Sequence, residues 1–260
     1  WQGMDRSTRI ELTRFANDAM REYADTHPDR FVPVGTLPGL EAEYAEEAER
    51  CVEDLDMAGV QVFSNLQGRP IDSVEAEATF EVVEEHGAAV WLHPQLHEWY
   101  PWDSEFMLHK MLGWPFDTSL ALCRLVFSGI MARHPDLTVV PHHMGGMIPH
   151  FANRIDLVSG LILENPEMNP YDVPELDDDP LDYFRRFTAD TVRAGSPSVL
   201  EQGIEFFGDD NLVFATDYPF GPENGRTFLR IESEAVEAMD ITDDQREKVF
   251  HDNAAALLES

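Results

Sequence analysis

Lysine is nearly missing: Lys110 and Lys248 are the only two in 260 residues, and every other basic side chain is an arginine. Against 18 basic residues stand 50 acidic ones, a formal net charge of −32. A nucleic-acid surface needs clustered cations against phosphate, so that class of partner is excluded. Such a charge could also mean disorder, but 10% aromatic residues and clear apolar strand-like runs oppose it. The composition fits a folded protein of a high-salt cytoplasm, where screening reduces self-repulsion and carboxylates keep the surface hydrated. A cytoplasmic location in a halophilic organism is the expectation. Cysteine is also scarce: Cys51 and Cys123 form no C-x-x-C or ribbon spacing. This excludes a disulfide framework and a thiolate metal site and leaves two free thiols. No apolar run approaches membrane-spanning length, and the opening Trp1-Gln2-Gly3-Met4-Asp5-Arg6 lacks the apolar stretch of a signal peptide, so no membrane partner is expected.

What is present is alternation. The run Phe31–Leu37 precedes a helical pattern near 41–57, in which Tyr44, Ala48, Cys51 and Leu55 share one stripe. Val60–Phe63 leads to a helix near 73–86 that stops at His86-Gly87, and Ala88–His93 leads to one near 117–133. Leu137–His143 is followed by a helix near 149–163, the weaker run Arg186–Asp190 by one near 196–206, and Asn211–Asp217 by helices near 226–239 and 242–258. Strands separated by helices are parallel and joined by crossovers. Six units are too few for a closed (β/α)8 barrel. An open nucleotide-binding sheet, however, would need a Gly-rich phosphate loop, and none follows any strand. The expectation is one domain over 1–260, an α/β barrel of the (β/α)8 TIM type whose first one or two strand–helix units are missing, so that the sequence begins partway into the domain.

Three strand ends deliver ionisable groups: Leu92-His93-Pro94, Pro141-His142-His143-Met144-Gly145-Gly146 and Thr216-Asp217-Tyr218-Pro219-Phe220. In a parallel barrel all strands end on one face, so these residues converge there. A neutral imidazole at His93 is a good ligand for a divalent ion, and a carboxylate at Asp217 beside aromatic rings is costly to bury without a cation. His142 and His143 are adjacent in a strand, so they point to opposite faces and only one reaches the mouth. Residues 95–117 form an aromatic-rich segment after His93, and Trp99 and Trp102 are candidates for a substrate wall, a lid or a subunit interface. Arg154 is placed to clamp a carboxylate or to make a surface salt bridge. The remaining histidines, among them His27 and His134 in helix-ending His-Pro-Asp turns, read as structural.

Taken together, Phe31–Pro38, Gly59–Val62, Leu92-His93-Pro94, His143-Met144-Gly145-Gly146-Met147-Ile148-Pro149, Thr216–Phe220 and Asn253-Ala254 occur in an order that resembles the amidohydrolase superfamily. The resemblance is to the branch of aminocarboxymuconate-semialdehyde decarboxylase and aromatic-acid decarboxylases, and it runs from about Arg30 onward. It implies that His93 is a metal ligand, that His143 rather than His142 is the general acid/base, and that Asp217 ligates the metal and handles a proton. It also implies that Arg154 reaches substrate across a homodimer interface, and that one divalent metal is bound, Zn2+ first and Mn2+ second. The H-x-H pair that supplies two further ligands in this family occurs nowhere here; its ligands are expected N-terminal to this chain. The implied function is non-oxidative decarboxylation of a small unsaturated or aromatic carboxylic acid. Hydrolysis of an ester, lactone or amide on the same site is the alternative, and a non-catalytic binding barrel is the third reading.

Overall fold

Hydrophobic alternation explains where each strand lies and which face it buries. In β2 (Gly59–Phe63) and β5 (Ala89–His93), Val60, Val62, Val90 and Leu92 are buried toward the helices. Gln61, Phe63, Trp91 and His93 take the intervening positions on the opposite, half-buried face. A computed structural model describes residues 4–39, 42–66, 68–95, 104–168, 174, 176–192 and 195–258. In it β1 (Gly35–Thr36), β2, β5 and β6 (Thr138–Pro141) form one parallel sheet in that order. Between β2 and β5 lies a small antiparallel hairpin, β3 (Asn65–Leu66) and β4 (Arg69–Pro70), which the alternation does not announce. β7 (Ala189–Asp190) and β8 (Leu212–Val213) form a second parallel pair. A bond from Thr188 N–H to the Val139 carbonyl, 3.0 Å, sets that pair beside β6.

Six parallel strands therefore follow one another in chain order, as the alternation predicts. Closure of the barrel is not seen: among the described residues no bond joins β8 back to β1. The face opposite the helices still has an interior. Ala89, Val140 and Val213 are buried there against Trp91, Ala254 and Leu257, so the last helix (Asn253–Leu258) covers part of the concave side.

The helices begin and end for identifiable reasons. α1 (Arg6–Asp25) starts at Asp5, whose carboxylate accepts from Thr8 N–H at 3.0 Å. α2 is Ala42–Glu49 and continues as a wider turn over Arg50–Asp54, shorter than the helix expected over 41–57. α3 (Val74–Glu85) is capped by Ser73 and stops at Gly87, whose φ of 65° suits a residue without a Cβ. α4 (Trp114–Phe127) begins three residues earlier than its periodicity suggests, because Pro115 occupies its first turn, where a missing N–H does no harm. The main core lies between these helices and the sheet, with Tyr44, Phe80, Leu92, Leu122 and Phe184 fully buried. Truncating one such side chain to alanine costs about 2–5 kcal/mol, so the core holds the strand ends in place. Cys51 is buried, Cys123 is partly buried, and both are free.

Candidate active site at the strand ends

His93 is the last residue of β5, on the concave face, in register with Phe63 of β2. Its Nδ1–H donates to the Pro94 carbonyl at 2.8 Å, which fixes the tautomer and leaves Nε2 with a free electron pair. Burial first, and the nearby His142 second, push its pKa below the ordinary histidine value, with Asp217 and Asp190 opposing. His93 is held neutral, the form that ligates a metal.

Two residues beyond Val140 on the same face, His142 brings its ring to 5.0 Å from that of His93. Its Nδ1 pairs with Asp190 at 3.1 Å. Burial alone would lower its pKa, but the charge of Asp190, the hydrogen bond to it and the charge of Asp217 outweigh that and raise it. Asp190, at the end of β7, is buried; its other oxygen accepts from His143 N–H at 2.8 Å and Val192 N–H at 3.1 Å. Burial would raise its pKa, but the two histidines and the Val192 amide prevail and lower it.

The expectation that His142 and His143 face opposite sides is corrected here. β6 ends at Pro141, and His143 and Met144 adopt left-handed backbone (φ 60° and 57°) rather than continuing the strand. The turn brings both rings to one side: His143 lies 6.5 Å from His93 and stacks on Trp114 at 6.2 Å and 22°. Left-handed conformation costs a residue with a Cβ energy and persists only where the surroundings enforce it, a pattern frequent at functional sites. Gly146 closes the turn with φ 66°, and a Cβ there would meet the Pro115 carbonyl oxygen at 2.3 Å, so only glycine fits.

Asp217 is also displaced from its expected strand end. β8 stops at Val213, after which Phe214 N–H bonds to the Val249 carbonyl and Ala215 N–H to Thr191 Oγ1. The backbone has left the sheet, and Asp217 sits half-buried in a loop with φ 60°. It stays near enough to act electrostatically on both His93 and His142. Trp99 and Trp102 lie outside the described residues. Arg154 does not join the histidines; it is exposed on the helix Ile148–Glu164, at an apolar groove of about 430 Å³ shared with Cys123 and Phe127 of α4. Asp190 was missed by motif reading. Its only signal is its place at the end of a weak apolar run, the position His93 holds at a strong one.

His93 and Asp217 suit a divalent ion by donor chemistry, an imidazole Nε2 and a carboxylate. They supply two donors, whereas a catalytic zinc normally takes three from protein. Among the described residues the one set of three donors within 4.8 Å of one another is elsewhere, the exposed Glu247, His251 and Asp252.

The amidohydrolase family model matches residues 2–259. The chain is 29% identical over 224 residues to a 2-amino-3-carboxymuconate-6-semialdehyde decarboxylase of Dictyostelium discoideum, covering 81% of this chain but only 57% of that relative. It superposes on the crystal structure of 5-carboxyvanillate decarboxylase from Sphingomonas paucimobilis with a TM-score of 0.87 at 29% identity, covering 99% of this chain and 75% of that one. A dihydroxybenzoic acid decarboxylase from Polaromonas sp. JS666, solved with manganese and the inhibitor 2-nitroresorcinol, gives 0.84 at 26% identity, covering 99% and 77%. The chain belongs to the amidohydrolase family, in its branch of aminocarboxymuconate-semialdehyde and aromatic-acid decarboxylases.

Proposed function

We propose that this chain carries the active site of a metal-dependent, non-oxidative decarboxylase of a small aromatic carboxylic acid. The observation that supports it most is the grouping of His93, His142 and His143 beside Asp217 at one mouth of a parallel sheet. Like-folded neighbours include carboxyvanillate and dihydroxybenzoic acid decarboxylases. His93 and Asp217 would contribute two of the ligands of a divalent ion, manganese or zinc, which would supply positive charge to polarise the substrate's oxygen atoms. The neighbour with bound manganese favours the first.

His143, fixed in orientation against Trp114, gives its proton to the ring carbon that bears the carboxylate. The C–C bond then breaks, CO2 leaves and its bonding electrons restore the aromatic ring. Asp217 accepts the proton that a ring hydroxyl of the substrate gives up on binding. His142, braced by Asp190, lines the same mouth. Arg154 serves a second copy of the chain in a homodimer, since on its own chain it lies in the outer helix layer. An exposed apolar stripe on the same helix, with Phe151, Leu157, Val158 and Leu161, supports that face as the contact.

The test is CO2 release by the full-length, metal-loaded protein from a panel of hydroxylated benzoic and unsaturated acids. Replacing His143 by asparagine should lower kcat by about 10²–10⁴, the usual contribution of a positioned general acid. Metal-loaded protein that releases no CO2 across the panel would overturn the assignment. Water incorporated into an acid product would establish hydrolysis instead.

A further inference from the structure

The first turns of α4 touch the strand end that carries His93, and they do so through a buried carboxylate. Asp117 is 5% exposed. Its Oδ2 accepts from Asn65 Nδ2 at 2.9 Å and from the Ser64 hydroxyl. Ser64 faces both ways: its N–H donates to the His93 carbonyl at 2.9 Å, and its Oγ accepts from Gln95 N–H at 2.8 Å. Asn65 Nδ2 also reaches the Gln95 carbonyl at 3.4 Å. The peptide held between these contacts is Pro94–Gln95, and the Pro94 carbonyl is the acceptor that orients the His93 ring. A continuous path thus runs from Asp117 through Ser64 to the atom that decides which imidazole nitrogen of His93 faces the mouth.

A carboxylate buried this deeply is costly, and an apolar side chain of similar size would pack at lower cost, so stability alone does not explain it. We propose that Asp117 is a positioning residue for His93: it locks the turn after β5 so that the Pro94 carbonyl keeps His93 in the Nδ1–H tautomer with Nε2 free. The inference rests on the proposed role of His93 as a metal ligand. Its physical content, the tautomer and orientation of one ring, can be measured without metal or substrate.

The experiment compares Asp117→Ala, Asp117→Asn and Ser119→Ala in ¹⁵N-histidine-labelled protein, reading the His93 tautomer from two-bond ¹H–¹⁵N spectra. Ser119 is the folding control. It lies on the same turn of α4, its hydroxyl donates to the Pro115 carbonyl at 2.6 Å and accepts from Met147 N–H at 2.7 Å, and these bonds lead away from His93. Wild type and Ser119→Ala should show His93 as the single Nδ1–H tautomer. Asp117→Ala should show a mixture, and Asp117→Asn, which keeps an acceptor oxygen, should recover the wild-type signal. Apparent affinity for Mn2+ should follow the same order, about 10- to 100-fold weaker in Asp117→Ala, as for loss of other groups that brace a metal-binding histidine. A folded Asp117→Ala with an unchanged His93 tautomer would overturn the proposal. So would an equal change in Ser119→Ala, which would reveal a general loosening of α4. If wild-type protein binds Mn2+ without releasing CO2, the decarboxylase reading fails while the tautomer comparison still decides the role of Asp117.

Discussion

Replacing Asp190 by asparagine isolates the pair that holds the second histidine of the mouth. The carboxylate bonds His142 Nδ1 at 3.1 Å and accepts two backbone N–H groups at 2.8 and 3.1 Å through its other oxygen. Asparagine keeps an oxygen for those amides but presents an NH2 to His142, so the change removes the ion pair and leaves the local fold intact. Breaking a buried pair costs about 3–5 kcal/mol, and because the His142 side chain is 21% exposed the low end applies. At about 2–4 °C per kcal/mol for a chain of this size, the melting temperature should fall by about 6–12 °C. The pH dependence has a defined sign. His142 is raised above its ordinary value of 6.5, so its contribution is complete below that value and is lost as pH rises through the folded value. Asp190 is lowered below 3.8, so its contribution is present above that value and is lost as pH falls through the folded one. The gap between wild type and Asp190→Asn should therefore be widest at mildly acidic pH and narrow toward alkaline pH. Thermal melts in molar salt across that range would check it. A gap under about 2 °C at mildly acidic pH, less than 1 kcal/mol at this size, would refute the reasoning. So would a gap that does not change with pH.

Two further expectations concern the surface. With a net charge of −32, lowering salt from about 1 M to about 0.1 M lengthens the screening distance from about 3 Å to about 10 Å and should lower the melting temperature; a flat response in a KCl series would remove the halophilic interpretation. The stripe on the helix Ile148–Glu164 includes Leu157 at 65% and Leu161 at 44% exposed, so Leu161→Glu should convert the proposed dimer to monomer in light scattering while leaving the melting curve of the monomer intact.

The parallel order of six strands was legible because each buried strand carries a period-two pattern and each helix a stripe, and right-handed crossovers leave few other arrangements. His93 was legible for the same reason, since a histidine closing an apolar run stands out. The orientation of His142 and His143 was not. Side-chain alternation holds only while the strand continues, and here the backbone turns left-handed at His143 and Met144, in a turn closed by Gly146 against the Pro115 carbonyl, a contact no local window contains. The end of β8 was misplaced for a related reason: the apolar run continues to Ala215, but the hydrogen bonds after Val213 go to Val249 and Thr191, residues no local window contains.

Asp190, Ser64 and Asp117 show where pattern reading stops more generally. Each is a common polar residue with no motif around it, and each acquires meaning only from a partner far along the chain: 47 residues separate Asp190 from the His143 amide, and 53 separate Ser64 from Asp117. A strand-end histidine advertises its chemistry through its own side chain. The groups that set its tautomer and orientation do so through acceptor oxygens, which nearly every residue type can supply, so only their burial and aim distinguish them. It follows that substitutions around this mouth should divide by mechanism. Changes at His93 or His143 remove a group proposed to ligate or react, whereas changes at Asp190 or Asp117 leave those groups present and alter how they are held. Within the second class the outcome should depend on what the replacement keeps: Asp117→Asn retains the acceptor oxygen and should preserve function, whereas Asp190→Asn keeps the amide acceptor but loses the ion pair to His142.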